Sequence, residues 1–208
     1  MNDLAGHFER VVESLNQERT TLNQSDPFNG NHGDHMVAIF RVATQAARQI
    51  TGNDLASAME LAGQMLLQLE NNASAQIYAA GLQQFAGQFK RHEVGFEQLE
   101  NYVRSVLSEE KNAGQKDAKS GDVLKALVNG LAGWQDTSQA DTGSPKGMDM
   151  GYLFDLGIAY LQARQSAGNK LEAVAETAIS VSPLGKTPHR ASSGKLVIVT
   201  LLQSLQQG

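Results

Sequence analysis

The sequence contains no cysteine and only four prolines in 208 residues, and aromatic residues make up 6% of it. The absence of cysteine excludes disulfides, thiol nucleophiles and zinc or iron–sulfur sites with cysteine ligands. The longest strongly apolar run, Leu196 to Leu202, is far shorter than the roughly 20 residues that a membrane-spanning helix needs. The N-terminal residues lack the basic and apolar regions of a secretory signal. We therefore expect a cytoplasmic protein with no membrane anchor.

Positive charge is also scarce. The chain has 17 Lys and Arg against 22 Asp and Glu, which gives a net charge of −5 at pH 7. Lys90 and Arg91 form the one basic pair of note, and nucleic-acid binding requires a cluster of such residues. We expect no nucleic-acid partner. The hydrophobic fraction of 41% is enough for a globular domain with a sizeable core.

Apolar residues recur at helical spacing along most of the chain. The first predicted helix carries a single apolar stripe of Leu4, Phe8, Val11, Val12 and Leu15. A second helix is predicted to start near Asp34, and Asn53 or Asp54 is predicted to cap a third. Further helices are predicted over residues 74–89, 95–108, 121–134, 149–167, 171–179 and 193–205.

Two regions of the sequence, 193–205 and 133–147, allow an alternative to the helical pattern. The segment 193–205 includes the β-branched run Val197-Ile198-Val199, which could form a strand, but no partner strand is predicted elsewhere, so a buried helix is favoured. All four prolines are predicted to lie between helices. Residues 133–147 form a long surface loop or a boundary, and a C-terminal helix pair could hardly bury its own core. We therefore predict one all-α domain spanning residues 1–208.

The segment 22–36, LNQSDPFNGNHGDHM, concentrates Asn, Asp, His and Gly ahead of a predicted helix. Such a loop can offer oxygen ligands to a hard cation and backbone N–H groups to phosphate. It can equally be an ordinary Asx- and Gly-rich connection that ends in an Asp34 N-cap. A transition-metal site at His32, Asp34 and His35 is a weaker hypothesis, because neighbouring residues rarely all reach one metal. His7 and His92 are predicted to be solvated surface residues.

The run NGNHGDHM at residues 29–36 resembles, without a gap, the loop D-G-D-T/H-G-x-N-M of the nucleotide-binding L subunit of dihydroxyacetone kinases and its DhaL-like relatives. Three further blocks occur in the same order as in that family: residues 72–79, Gly121-Asp122 and residues 185–193. The resemblance implies an antiparallel eight-helix barrel whose open end binds ADP or ATP with two Mg²⁺ ions.

The resemblance also implies which positions form the site. The nucleotide-contacting positions would be His32, Gly33, His35, Met36, Ala73, Ser74 and Asp122. The positions of the family's metal-binding carboxylates are occupied by Gln24, Asn29 and Asn31, so each keeps a carbonyl oxygen and loses a negative charge. Asp26 and Asp34 lie close enough in sequence to substitute partly. The glycines of the second block are replaced by Asn72 and Ala75.

Two functions are consistent with this pattern. The first is a divergent kinase subunit that binds ADP or ATP with Mg²⁺ and transfers phosphate to a triose held by a partner subunit, because the family's substrate-holding domain is absent from these residues. The second is a non-catalytic regulatory or ligand-binding protein that keeps the scaffold and needs no such cofactor. The lost carboxylates favour the second, and the matched blocks favour the first. Whether the chain forms a homodimer is left open.

Overall fold

The computed structural model describes residues 4–52, 54–92, 97, 100, 101, 104, 170–180 and 182–207. Within these ranges the chain forms seven α-helices, one short 3-10 helix and no strand, which confirms the predicted all-α class. The α-helices are α1 (Leu4–Gln17), α2 (Arg19–Gln24), α3 (His32–Gln49), α4 (Leu55–Leu66), α5 (Ala73–His92), α6 (Lys170–Ser180) and α7 (Pro188–Gln207). The 3-10 helix is Pro183–Lys186.

Helix α3 is the central element, because it packs against α1, α2, α4 and α5. Its apolar stripe buries Met36, Ile39, Phe40 and Ala43 in the main core. The Phe40 ring meets Phe8 of α1 edge-on at 6.0 Å between ring centroids, and meets Tyr78 of α5 at 5.5 Å. Aromatic pairs in this geometry add to the stabilisation that comes from burial. The packing of α3 against these neighbouring helices therefore holds its first turn in place.

The first helix has the predicted stripe, with Phe8, Val11 and Leu15 buried. The prediction that His7 is a solvated surface residue is wrong, since His7 is only 7% exposed. Its Nδ1 lies 2.8 Å from the Ser204 hydroxyl of α7, and the Arg10 guanidinium donates to the Ser204 carbonyl at 3.2 Å. A polar side chain on the apolar face of a helix can be buried when it has a hydrogen-bond partner of this kind. The side chain of His92 lies outside the described part of the structure.

Helix boundaries follow local capping chemistry. Asp54 is the N-cap of α4, as predicted, and its carboxylate accepts a hydrogen bond from the Ser57 N–H at 2.9 Å. Helix α3 begins at His32, two residues before the predicted start. The short helix α2 was not predicted, because its six residues carry little periodicity.

The C-terminal segment is helical despite its β-branched run, as predicted. Helix α7 starts at Pro188, five residues earlier than expected, and Pro183 begins the 3-10 helix. These two prolines therefore open helices instead of lying between them, since a first helical position needs no backbone N–H. Helix α7 packs against α1 and α6, and Val197 is buried there. Burial against two helices outweighs the β preference of the run.

The predicted helices 121–134 and 149–167, the loop 133–147 and Asp122 lie outside the described residues, and of the predicted helix 95–108 only residues 97, 100, 101 and 104 are described, all of them helical. The eight-helix barrel and the single-domain extent of residues 1–208 remain predictions for this reason. None of the helices that the structure describes combines the length and apolar character of a membrane span.

Candidate functional site

A cavity of about 660 Å³ lies between the start of α3 and the start of α5. Its described lining consists of Asn29, Asn31, His35, Asn71, Asn72, Ala73 and Gln76. Five of these seven side chains are amides, each with a carbonyl acceptor and an NH₂ donor. No carboxylate and no Lys or Arg is among them. The cavity brings together two blocks, residues 29–36 and 72–79, that are far apart in sequence.

Asn72 fixes the distance between the two walls of the cavity. Its Oδ1 accepts a hydrogen bond from the Ala75 N–H at 3.0 Å, and its Nδ2 donates to the His35 carbonyl at 3.2 Å. The first bond caps α5, and the second ties α5 to the first turn of α3. Asn72 is 5% exposed, and the preceding Asn71 has a φ of 56°, a conformation that Asn tolerates better than most residues.

Asn23 of α2 caps the start of α3 from outside the helix. Its Oδ1 accepts hydrogen bonds from the N–H groups of Gly33 at 2.7 Å and Asp34 at 3.2 Å. Gly33 allows this close approach, because a Cβ there would stand 2.3 Å from the Arg19 carbonyl oxygen. The N–H groups that a helix start could offer to phosphate are thus already bonded within the chain at these two positions.

The two aspartates proposed as substitute metal ligands point to other partners. Asp26 Oδ1 accepts a hydrogen bond from the Phe28 N–H at 3.0 Å. This bond is the main reason that the pKa of Asp26 is lowered, and the N–H groups of Asn29 and Asn31 add to it. Asp34 accepts from Asn23 Nδ2 at 2.8 Å and lies 3.7 Å from Arg19 Nε. Neither aspartate lines the cavity, and Gln24 is the exposed last residue of α2.

His32 lies in the first turn of α3 and does not line the cavity, and it is 4% exposed. Its Nε2 is 2.8 Å from the Ser193 hydroxyl, and that hydroxyl donates to the Arg190 carbonyl at 3.1 Å. Because the serine proton is used in this way, we assign Nε2–H of His32 as the donor. The His189 ring stands edge-on at 4.8 Å.

Burial, and after it the proximity of His189, lowers the pKa of His32 to about 4. The imidazole is therefore neutral at pH 7. Ser193 is fully buried and its proton is directed at a carbonyl, so this pair has neither the access nor the orientation of a serine nucleophile and its base. The pair instead anchors α3 to α7.

The sequence-predicted positions thus divide between two environments. His35 and Ala73 line the cavity with Asn29 and Asn31. The other described nucleotide-contacting positions are buried and do not line it: His32, Gly33, Met36 and Ser74. The members of the H-x-D-H hypothesis point to different partners, because His32 bonds to Ser193, Asp34 to Asn23, and His35 lines the cavity.

The two Mg²⁺ ions that the family resemblance implies do not fit the residues present. Mg²⁺ in nucleotide sites is held by carboxylates together with phosphate oxygens and water. The described part of the lining supplies amide and imidazole groups and no carboxylate, and the described residues contain no group of three or more His, Asp or Glu placed to hold a metal. The cavity is better suited to an uncharged ligand.

One cavity residue has an unused hydrogen-bonding atom. Asn31 Oδ1 is buried and has no hydrogen-bond partner within the described ranges of the chain. A buried acceptor without a partner costs about 1–3 kcal/mol. Asn31 occupies the N-cap position of α3 but makes no capping bond, because Asn23 performs that function.

Several residues that matter here were not predicted as site residues. Asn72 was noted only as a lost glycine, although an Asn three residues before Ala75 fits an N-cap pattern. No sequence pattern predicts that Asn71 and Gln76 line the cavity. The His32 contacts with His189 and Ser193 join residues more than 150 positions apart, and no local pattern predicts such contacts.

Comparison of the chain with protein-family models, curated proteins and solved structures finds no match. The resemblance to DhaL-like proteins therefore stays a prediction that rests on the four sequence blocks.

Proposed function

We propose that this chain is a non-catalytic ligand-binding protein, and that the cavity between α3 and α5 binds a small uncharged polar molecule without metal. The observation that carries the proposal is the lining itself, in which amide and imidazole groups replace the charged groups that a metal–nucleotide site requires. Small-molecule sites are concave and carry a few fixed polar groups that orient the ligand.

The geometry supports binding by preorganised groups. Asn72 is held by two hydrogen bonds, and Asn23 holds the start of α3 from the other side. Groups fixed in this way lose little conformational entropy when a ligand binds. Asn31 Oδ1 is a buried acceptor that has no partner among the residues that the structure describes. Together these features favour a ligand that presents N–H or O–H donors.

The test is ligand-observed NMR with a panel of uncharged polar molecules, namely polyols, sugars, amides and nucleosides, in the presence of a chelator. Gln76→Ala removes an exposed amide from the cavity wall, and Gln45→Ala removes an exposed amide from α3 outside it. We expect binding that Gln76→Ala abolishes and Gln45→Ala leaves unchanged. Binding that requires Mg²⁺, or that both variants weaken equally, would contradict the proposal.

A second candidate is the divergent dihydroxyacetone kinase subunit, which would transfer phosphate from a nucleotide to a triose held by a partner. It is supported by the shared cavity of residues 29–31 and 71–76, the two regions whose sequences resemble the family's phosphate-contacting blocks. Calorimetry with ADP and ATP, each with and without Mg²⁺ or Mn²⁺, separates the candidates. Metal-dependent nucleotide binding supports the kinase subunit, and metal-independent binding of an uncharged ligand supports the first proposal.

A further inference from the structure

The chain contains two Asn-Gly dipeptides, and Asn29-Gly30 is the one that the structure describes. An Asn side chain followed by Gly is chemically labile, because the next residue's backbone nitrogen can attack the side-chain amide when no Cβ shields it. Both residues are exposed. A Cβ built on Gly30 would meet nothing within 4 Å, so the space around the reacting atoms is open.

The backbone nitrogen of Gly30, which is the attacking atom, does not take part in the hydrogen bonds that organise the loop. Asp26 accepts a hydrogen bond from the Phe28 N–H at 3.0 Å, and the backbone N–H groups of Asn29 and Asn31 also lower the pKa of its carboxyl, whereas Gly30 is not among these groups. Gly30 has a φ of 65°, a left-handed conformation that glycine adopts without strain. The loop is therefore organised around Asp26 on either side of the reactive peptide bond.

We propose that Asn29 is a site of spontaneous deamidation, and that the modification places a carboxylate on the wall of the amide-lined cavity. The Gly30 nitrogen attacks Cγ of Asn29, a new N–Cγ bond forms, and the Cγ–Nδ2 bond breaks. Ammonia leaves with the proton released by the Gly30 nitrogen. Water then opens the succinimide at either carbonyl, so the products are aspartate and isoaspartate.

The consequence for the cavity is a change of charge. Asn29 lines the cavity with four other amides, and none of the described lining residues carries a permanent charge. Conversion introduces one negative charge beside Asn31, whose Oδ1 is already an unpartnered acceptor. The modification would therefore disfavour anionic ligands and favour cations at the same wall. This inference does not depend on which ligand the cavity binds.

The test is a time course of the folded chain at mildly alkaline pH and physiological temperature, followed by tryptic mapping. The peptide of residues 20–41 contains Asn23, Asn29 and Asn31, and fragmentation assigns the modified one. A synthetic peptide of the same sequence gives the reference rate. We expect Asn29 to react while Asn23 and Asn31 stay intact. We expect its rate to lie within about tenfold of the free peptide, which corresponds to a barrier change below about 1.4 kcal/mol.

Gly30→Ala is the variant that tests the route of attack. It keeps Asn29 and adds a methyl group beside the attacking nitrogen, so we expect conversion to slow by roughly tenfold or more. A circular dichroism spectrum shows whether the variant is folded. The proposal is overturned if Asn29 of the wild-type chain stays intact while the free peptide is consumed, or if Gly30→Ala converts as fast as wild type. Asn129-Gly130 is mapped on its own peptide and does not enter the comparison.

Discussion

The two sides of the first turn of α3 differ in what they contact. On one side His32, Gly33 and Met36 are buried against neighbouring helices, with Met36 fully inaccessible. On the other side Asn31 and His35 face the cavity. These three buried residues match the DhaL-like loop, as does the exposed Gly30, and Asn29, Asn31 and His35, which depart from it, line the cavity.

This difference explains how a chain can resemble a family while its site differs. The matching residues of α3 hold α2, α3 and α7 together through packing and through the His32–Ser193 hydrogen bond. Such contacts constrain the fold whatever the ligand is. Five of the seven described residues that line the cavity are amides, which form hydrogen bonds and carry no charge. Ala75 is an exception, because it departs from the family and is fully buried.

Truncation on the packed side is expected to have the largest effect. Met36→Ala should lower the free energy of unfolding by about 4 kcal/mol, because it opens a cavity in a fully buried site. The neighbouring His35→Ala should cost less than about 1 kcal/mol, since its side chain faces the cavity. Urea denaturation of both variants measures the difference. If both variants lose the same free energy of unfolding, the packed side and the cavity side of the first turn of α3 do not differ in the way described.

Gly33→Ala is expected to be the next most damaging change. Its Cβ would stand 2.3 Å from the Arg19 carbonyl oxygen, which is backbone and cannot move aside without displacing α2. We expect a loss of about 3 kcal/mol. Gly30→Ala is the matched control, because the added Cβ enters open space. We expect this variant to lose only about 1 kcal/mol of stability, because alanine must adopt the left-handed conformation of Gly30. If thermal denaturation ranks Gly30→Ala below Gly33→Ala in stability, the assigned close contact is wrong.

The buried His32 predicts a pH dependence. Its folded-state pKa of about 4 lies below the ordinary value of 6.5, so the unfolded chain binds more protons between these values. The stability that the neutral His32 contributes is present above pH 6.5 and is lost as the pH falls through 4, by about 3 kcal/mol in all. His32→Gln keeps a donor for Ser193 and removes the titration. Denaturation curves across this range should be flatter for the variant than for wild type, and parallel curves would refute the assignment.

Loss of the Asn72 hydrogen bonds, which join the two cavity walls, is expected to have a smaller effect on the free energy of unfolding. Asn72→Ala removes the α5 cap and the bond to the His35 carbonyl, so we expect a loss of about 1–2 kcal/mol. Asn71→Gly should leave stability nearly unchanged, because glycine accepts the φ of 56°. Guanidinium denaturation of the pair tests this, and an equal loss in both variants would show that the loop, and not the Asn72 side chain, carries the stability.

Sequence reasoning succeeded where a local pattern determines the outcome. The stripe of α1, the Asp54 cap and the helical state of the Val197 run follow from periodicity and capping within a few residues. It failed for His7, because the Ser204 hydroxyl that makes its burial acceptable is 197 residues away. The composition of the loop 22–36 predicts a site there, but which of its side chains face the cavity depends on Asn23 and Asn72, whose bonds span 10 and 37 residues.

A thermal melt with and without Mg²⁺–ADP shows directly whether the amide-lined cavity binds metal and nucleotide. It compares wild type with the double variant Asn29→Asp/Asn31→Asp, and with a triple variant that adds Gln24→Asp outside the cavity. The double variant should be less stable than wild type until Mg²⁺–ADP is added, because its new carboxylates repel each other, and Gln24→Asp should add little. Wild type should show no shift with Mg²⁺–ADP. A large stabilisation of wild type by Mg²⁺–ADP would contradict the account, because it would mean that the amide-lined cavity already binds metal and nucleotide.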